Sequence, residues 1–319
     1  MRADAKIYVA GHRGMVGSAL MRRLRAGGYS NLLARTHAEL DLLDQRAVEA
    51  FIADERPDYL FLAAARVGGI QANDTFRADF LAENLVIETN LLRAAHRADM
   101  QRLMFLGSSC IYPRDCPQPI REEYLLTGPL EHTNEPYAIA KIAGLKLCEA
   151  FNAQYGRRYV SVMPTNLYGP ADNYELEGSH VLPALIRKVH EAKVAGAGEV
   201  VVWGSGTPRR EFLYVDDLAD ACVFLMEHDN APALINVGCG RDLTIAALAE
   251  TVMDVLGHHG RIVFDRSRPD GTPQKLLDVS RLAALGWTAA TDLRTGIAAA
   301  YASAPFATPE PTAAGAQTR

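Results

Sequence analysis

The sequence is poor in the features that mark whole classes of function. No apolar run approaches the roughly 18 residues needed to cross a bilayer. The five cysteines are odd in number and scattered, without a CxxC or Cys/His zinc spacing, so neither a disulfide framework nor a structural metal is expected. There is no block of like charge and the net charge is −5, which suggests neither nucleic acid nor an anionic membrane as a partner. The chain enters Ile7-Tyr8-Val9-Ala10 almost at once, a strand rather than the apolar core of a signal peptide, and a reducing cytoplasm is the expected setting. No internal repeat is present. What remains is 319 residues, 49% of them hydrophobic, enough for one large or two modest domains.

What is present begins with that first strand. It leads into Gly11-His12-Arg13-Gly14-Met15-Val16-Gly17 and then a helix from Ser18 to Ala26. Strand, glycine turn and helix in that order are the setting of a dinucleotide site: glycines let the backbone approach a pyrophosphate whose charge the helix N-terminus stabilises. A glycine turn without a nucleotide remains the bland alternative. The next strand, Asn31 to Ala34, ends in Arg35, where an NAD enzyme would carry an acid for the ribose hydroxyls. Arg35 and Arg13 suit a 2'-phosphate and favour NADP, unless both are merely solvated.

The strand-like Leu103-Met104-Phe105-Leu106 ends in Gly107-Ser108-Ser109-Cys110, at the edge where open α/β sheets bind ligands. About thirty residues on, Tyr137 and Lys141 are spaced four apart, which sets phenol and ammonium on one face of a helix begun at Pro136. The ammonium is expected to lower the Tyr137 pKa towards neutrality, with a serine hydroxyl holding the carbonyl oxygen that Tyr137 protonates. The YxxxK spacing is also met as an ordinary exposed pair. Asn84 and Asn90, within an expected helix from Phe80 to Ala98, are read as bonding neighbouring backbone. Cys110 is read either as a small buried filler or as a pocket group.

Repeated β-then-α alternation predicts a doubly wound parallel sheet over 1–169, with 214–240 returning to it. A second, smaller α/β domain is expected over 170–213 and 241–303, and a disordered tail over 304–319. Asp44 is the expected N-cap of a helix from Gln45, and Thr244 that of a helix to Leu256. His180, before a helix from Val181, reads by default as a surface or capping histidine. Arg209 and Arg210 beside Trp203 suit a diphosphate and a base.

The ordered set Gly11/Gly14/Gly17, Ser108 with Tyr137 and Lys141, Pro164-Thr165-Asn166-Leu167-Tyr168-Gly169 and Arg210-Glu-Phe-Leu-Tyr-Val-Asp-Asp217 resembles the extended short-chain dehydrogenase/reductase family. Ala10 to Ser18, Leu106 to Pro113 and Arg268-Pro-Asp270-Gly-Thr are similar, more narrowly, to its GDP-L-fucose synthase branch, from about residue 6 to about residue 300. That resemblance implies a Rossmann-type domain, NADPH as hydride donor, no metal and a homodimer joined through helices 80–98 and 137–155. The implied substrate is GDP-4-dehydro-6-deoxy-D-mannose, inverted at C3 and C5 and then reduced at C4. It also implies Cys110 as base and His180 as acid of the epimerisation, Tyr137 with Lys141 as proton donor of the reduction, and Ser108 holding the oxygen throughout. Cofactor contacts are carried over to the Gly11–Gly17 loop, Arg35, Leu106 to Ser109, Lys141, Pro164 to Leu167 and His180. Substrate contacts fall on Lys188, Trp203, Arg210 and Asp270. His37, where family members can carry a stronger base, implies less discrimination against NAD.

Two rivals stand beside this expectation. A related nucleotide-sugar 4-epimerase or 4,6-dehydratase keeps Ser108, Tyr137 and Lys141 with a tightly held NAD, although dehydratases usually add an acid where Ser109-Cys110 stands. A non-catalytic NADP-sensing module would be expected to lose Tyr137 or Lys141, and both are present.

Overall fold

Short apolar segments of alternating facing build the central sheet. Ile7–Ala10 (β1), Leu32–Leu33 (β2), Tyr59–Leu62 (β3), Arg102–Leu106 (β4) and Arg158–Pro164 (β5) pair in parallel, and Leu234–Val237 (β9) joins beside β5. The order is β2-β1-β3-β4-β5-β9. The computed structural model describes residues 1–307 apart from Glu177, Pro269 and the side chain of Ile70.

Side chains alternate across each strand, so one sequence feeds two cores. Ile7, Val9, Met104, Leu106, Val160 and Val162 enter one core with the helices Met15–Ala26 (α1) and Val215–Glu227 (α7). Tyr8, Ala10, Leu103, Phe105, Tyr159 and Met163 enter the other. That second core is covered by Gln45–Glu55 (α2), Arg77–Arg97 (α4) and Glu135–Tyr155 (α5), with the short helix Ile70–Thr75 (α3) beside α4. This is the doubly wound α/β arrangement. Asp44 caps α2, accepting from the Arg46 and Ala47 amides at 2.9 and 3.1 Å.

A third core lies under Val181–Ala195 (α6), Ile245–Leu256 (α8) and Leu293–Ala302 (α10). Its strands are Asn166–Tyr168 (β6), Glu199–Trp203 (β7), Arg209–Tyr214 (β8), Asp242–Thr244 (β10), Arg261–Asp265 (β11) and Gln274–Lys275 (β12). β8 is the hub, flanked by β6, β10 and β12, while β7 pairs with β11. Thr244 caps α8 through the Ala247 amide at 3.1 Å.

Two stretches expected in the second domain or tail sit elsewhere. The segment after β12, including the helix Ser280–Ala284 (α9), turns back: Leu282 and Trp287 pack in the core under α7. There the Trp287 indole donates to Asp220 at 2.8 Å. Of the expected tail, Ala304 is buried and the Phe306 ring meets Tyr174 edge-on at 5.1 Å. One aromatic in an Ala- and Pro-rich run is too weak a pattern to betray that contact. Residues 308–319 lie outside the described residues.

Candidate active site

The strand order reverses between β1 and β3, and ligands bind open α/β sheets at such a switch point. Gly11 sits there with φ +83°, and a Cβ would lie 2.8 Å from the backbone of Ala63 and Ala64. Only glycine fits this turn. Gly14 is the N-cap of α1 and contributes no side-chain bond, which leaves the helix's first amides for an anion. His12 Nδ1 is buried without a partner in the same loop. These features fit a dinucleotide pyrophosphate. The electrostatic influence of Arg13 and Arg35 converges on Glu39, so the two cations share one corner. Arg35 is engaged there, bonding Glu55 at 2.9 Å and stacking over Phe51. His37 is largely exposed, its ring 3.7 Å from Asp41.

Gly107 continues β4 through a bond to the Val162 carbonyl, and Ser108 then caps a single 3₁₀ turn, accepting from the Cys110 amide at 3.3 Å. Its hydroxyl proton is left to donate to a substrate oxygen. Tyr137, half-buried on the first turn of α5, meets Phe80 edge-on at 6.4 Å. Lys141 is buried one turn further on, its ammonium 3.0 Å from the Leu106 carbonyl and 2.9 Å from Glu88 on α4.

Burial, with that ion pair behind it, overturns the expectation for Tyr137. Its pKa is raised well above 10, by burial first and then by Cys110 and Glu88. The ammonium is spent on Glu88, so the phenol stays protonated. Asn84 behaves as read, bonding the Arg66 amide and the Phe80 carbonyl; Asn90 instead reaches the Leu42 carbonyl far along the chain.

Cys110 also departs from a low-pKa thiol. Burial raises it, opposed by Lys275 foremost, then by the Ser108 hydroxyl and Lys141. His180 is exposed at the N-cap of α6, as the surface reading had it, but makes no side-chain capping bond. Desolvation, followed by Lys275, lowers its pKa and so favours the neutral imidazole. The preceding loop is fastened to the nucleotide unit by a bond from the Gly69 amide to the Gly178 carbonyl at 3.1 Å.

The four substrate candidates form one track. Lys188 and Arg268 place their cations 4.6 and 4.8 Å from the ring centroid of Trp203, which is 43% exposed. Asp270 accepts from the amide and hydroxyl of Ser205 at 2.9 and 2.7 Å and faces Arg210. Alternation on β8 splits the two arginines: Arg209 turns to Asp242 at 2.7 Å, whereas Arg210 faces Asp270 and lies within electrostatic reach of Lys275. Lys275 in turn faces Cys110 and His180. The track therefore runs from Trp203 to the thiol.

Thr165 and Asn166 differ from the expected pattern, because both side chains bond the Glu211 carbonyl, at 3.2 and 2.8 Å. They tie the end of β5 to β8. The residues that sequence reasoning missed are Lys275, Glu88 and Arg268. Lys275 sits on a two-residue strand whose place is set by pairing with β8, a non-local fact with no local signal. Glu88 reads as an ordinary helix acid; its burial in an otherwise apolar neighbourhood of α4 was the only available clue.

The sequence matches the model of the NAD dependent epimerase/dehydratase family over residues 7–238. The chain belongs to this family. Among its relatives, GDP-L-fucose synthase 1 of Arabidopsis thaliana is 57% identical over 298 residues, covering 93% of this chain and 92% of that protein. GDP-L-fucose synthase of Escherichia coli (strain K12) is 57% identical over 305 residues, covering 93% and 95%. Among solved structures, MlghC, a GDP-mannoheptose C4 reductase from Campylobacter jejuni with NADP bound, aligns with TM-score 0.86 at 37% identity, covering 94% of this chain and 98% of that one. For this member of the epimerase/dehydratase family, the glycine loop, the Tyr137–Lys141 helix and the Ser108 turn all fall inside the matched segment, whereas Asp270 and Lys275 lie beyond it.

Proposed function

We propose that the chain is a bifunctional NADPH-dependent 3,5-epimerase and 4-reductase that converts GDP-4-dehydro-6-deoxy-D-mannose to GDP-L-fucose. The observation that carries this reading is Lys275, which acts on both Cys110 and His180 while Cys110 acts on Tyr137. Cys110 and Lys275 line one cavity, and the imidazole and the phenol lie within electrostatic reach of that pair, which supports a site at the end of a cationic track suited to a nucleoside diphosphate. A reductase alone has no use for the thiol and the imidazole.

The 4-keto group acidifies the protons at C3 and C5. Cys110 as thiolate takes each proton and His180 as imidazolium, protonated from solvent against the lowering of its pKa, returns one on the opposite face; both exchange protons with solvent between the two inversions, and the Ser108 hydroxyl donates to the developing oxyanion at O4. The resting thiol first gives up its proton, and Lys275 stabilises the thiolate that forms. Bound NADPH supplies the hydride to C4. Tyr137 donates its proton to O4 in that step, and Lys141 reaches the nicotinamide ribose. Arg13 and Arg35 hold the 2'-phosphate, Arg35 exchanging Glu55 for it, and so set the preference for NADP. Lys188 and Arg210 take the diphosphate, Trp203 the guanine and Asp270 the hydroxyls.

The same reading includes a homodimer through α4 and α5, on which Val86 and Ile139 are 40% and 43% exposed; light scattering tests it. All five cysteines are free, in keeping with a reducing cytoplasm. The decisive assay follows NADPH oxidation with GDP-4-dehydro-6-deoxy-D-mannose and identifies products by NMR for wild type and Cys110→Ser. The expected wild-type product is GDP-L-fucose, lost or diverted to an unepimerised, 4-reduced sugar in the variant. No NADPH oxidation with this substrate would refute the reading and favour an NAD-retaining 4-epimerase or 4,6-dehydratase.

A further inference from the structure

We propose that Glu88 is a positioning residue of the reduction step: its carboxylate, reaching in from α4, holds the Lys141 ammonium against the Leu106 carbonyl and keeps the Tyr137–Lys141 pair loaded with the proton that Tyr137 delivers. The geometry is built for this contact. Both side chains are 2% exposed and 2.9 Å apart. The ammonium has the Leu106 carbonyl at 3.0 Å and the Phe105 ring centroid at 4.9 Å. Room for the carboxylate comes from Gly144, three residues beyond Lys141 on α5, where a Cβ would lie 2.6 Å from Glu88 Oε2 and 2.5 Å from the Phe105 ring. Lys141 sits 5.7 Å from the Tyr137 ring centroid, so the carboxylate and the phenol compete for one cation.

The chemistry gives that competition a direction. An enzyme that oxidises an alcohol through this tyrosine starts from the phenolate, and a free ammonium beside it helps. An enzyme that reduces a ketone starts from the phenol. A buried carboxylate on the far side of the lysine opposes a second negative charge nearby and so retains the proton on Tyr137. Burial and Glu88 both raise Tyr137. The other titratable groups bearing on the cluster are Cys110 on the 3₁₀ turn, Cys148 on α5 and, through Cys110, Lys275 on β12. Cys110 acts in the same sense as Glu88, while Cys148 is held neutral by burial. Glu88 is the one buried carboxyl that touches the lysine among the described residues; burial raises its own pKa, and the Lys141 ammonium opposes that rise.

This inference rests on Tyr137 as the proton donor of the reduction, and Tyr137→Phe tests that premise separately. If Tyr137→Phe still reduces at the wild-type rate, the reading of Tyr137 fails and this inference with it. The specific test is Glu88→Gln. Its kcat for the reduction, followed against pH with the NADPH-loaded enzyme, should keep its acidic plateau and lose activity at lower pH than wild type. The alkaline limb should move down by about one pH unit or more, the coupling typical of directly interacting groups. In the cofactor-free protein labelled with 13Cζ-tyrosine, the Tyr137 resonance, assigned by its loss in Tyr137→Phe, should begin its phenolate shift at lower pH. Glu88→Asp keeps the charge but withdraws it by one methylene, and both readouts should move the same way by less. A folded Glu88→Gln with the limb or the resonance unmoved overturns the proposal. If the Gln variant does not fold, an unmoved limb and resonance in Glu88→Asp overturn it.

Discussion

Removing the carboxylate of Glu211 should cost as much stability as truncating a large core side chain. The side chain is fully buried on β8. Oε1 accepts from the Gly240 amide at 2.7 Å and Oε2 from the Leu277 amide at 2.9 Å, so one residue closes the turn after β9 and fixes the segment after β12. Glu211→Ala leaves both amides buried without partners at about 1–3 kcal/mol each, partly relieved by relaxation, and the total is about 3–5 kcal/mol. At two to three degrees per kcal/mol for a chain of this size, the melting point should fall by roughly 10 °C. Glu211→Gln keeps one acceptor oxygen and aims an amide donor at the other N–H, so it should lose about half as much. Calorimetry measures both. Leu277 follows the strand that carries Lys275, so KM for the GDP-sugar should rise more than Kd for NADPH in any Ala variant that folds. An Ala variant melting within about 3 °C of wild type would refute the reasoning, because no arrangement with two orphaned amides is that cheap.

Three further outcomes are expected. For proton exchange at C3 and C5 into deuterated solvent, kcat/KM should rise with pH along a limb lying above the ordinary thiol value of 9.0, since the thiolate is the active form and burial disfavours it; Lys275→Met should push that limb higher, and a limb below it would contradict the assignment. Trp203→Ala removes the face that two cations flank, and by roughly 0.5–2 kcal/mol per cation–π contact KM for the GDP-sugar should rise about tenfold with the NADPH affinity unchanged in titration. Arg35→Ala should weaken NADPH by about ten- to a hundredfold, the scale of a charge-assisted hydrogen bond, and leave NADH unmoved in the same fluorescence titration.

Much of the first unit is legible because its signals are local. The β1–glycine–α1 sequence runs unbroken from Ile7 to Ala26, the Asp44 cap lies next to its helix, and the apolar strand runs are contiguous. The second unit hid its strands for a physical reason. β8 carries Arg209, Arg210 and Glu211 in succession, and a buried glutamate bonded only to amides distant in sequence has the composition of a loop. Lys275 draws its role from two strand pairings remote in sequence. The direction of the Tyr137 shift was misread for the same cause: helical spacing shows Lys141 beside the phenol, but neither the burial that dominates its pKa nor the carboxylate that reaches the ammonium from another helix.

The packing around Trp203 also gives the protein its own optical probe. The chain has two tryptophans. Trp287 is sealed under α7 with its indole bonded to Asp220, so its emission is insensitive to what enters the pocket. Trp203 stands half open between two cations at the far end of the track from the chemistry. Iodide, drawn in by those cations, should quench it selectively, and the guanine proposed to bind there would shield it. Occupancy of the nucleotide end can therefore be followed in the unlabelled enzyme, separately from turnover at the thiol and the phenol.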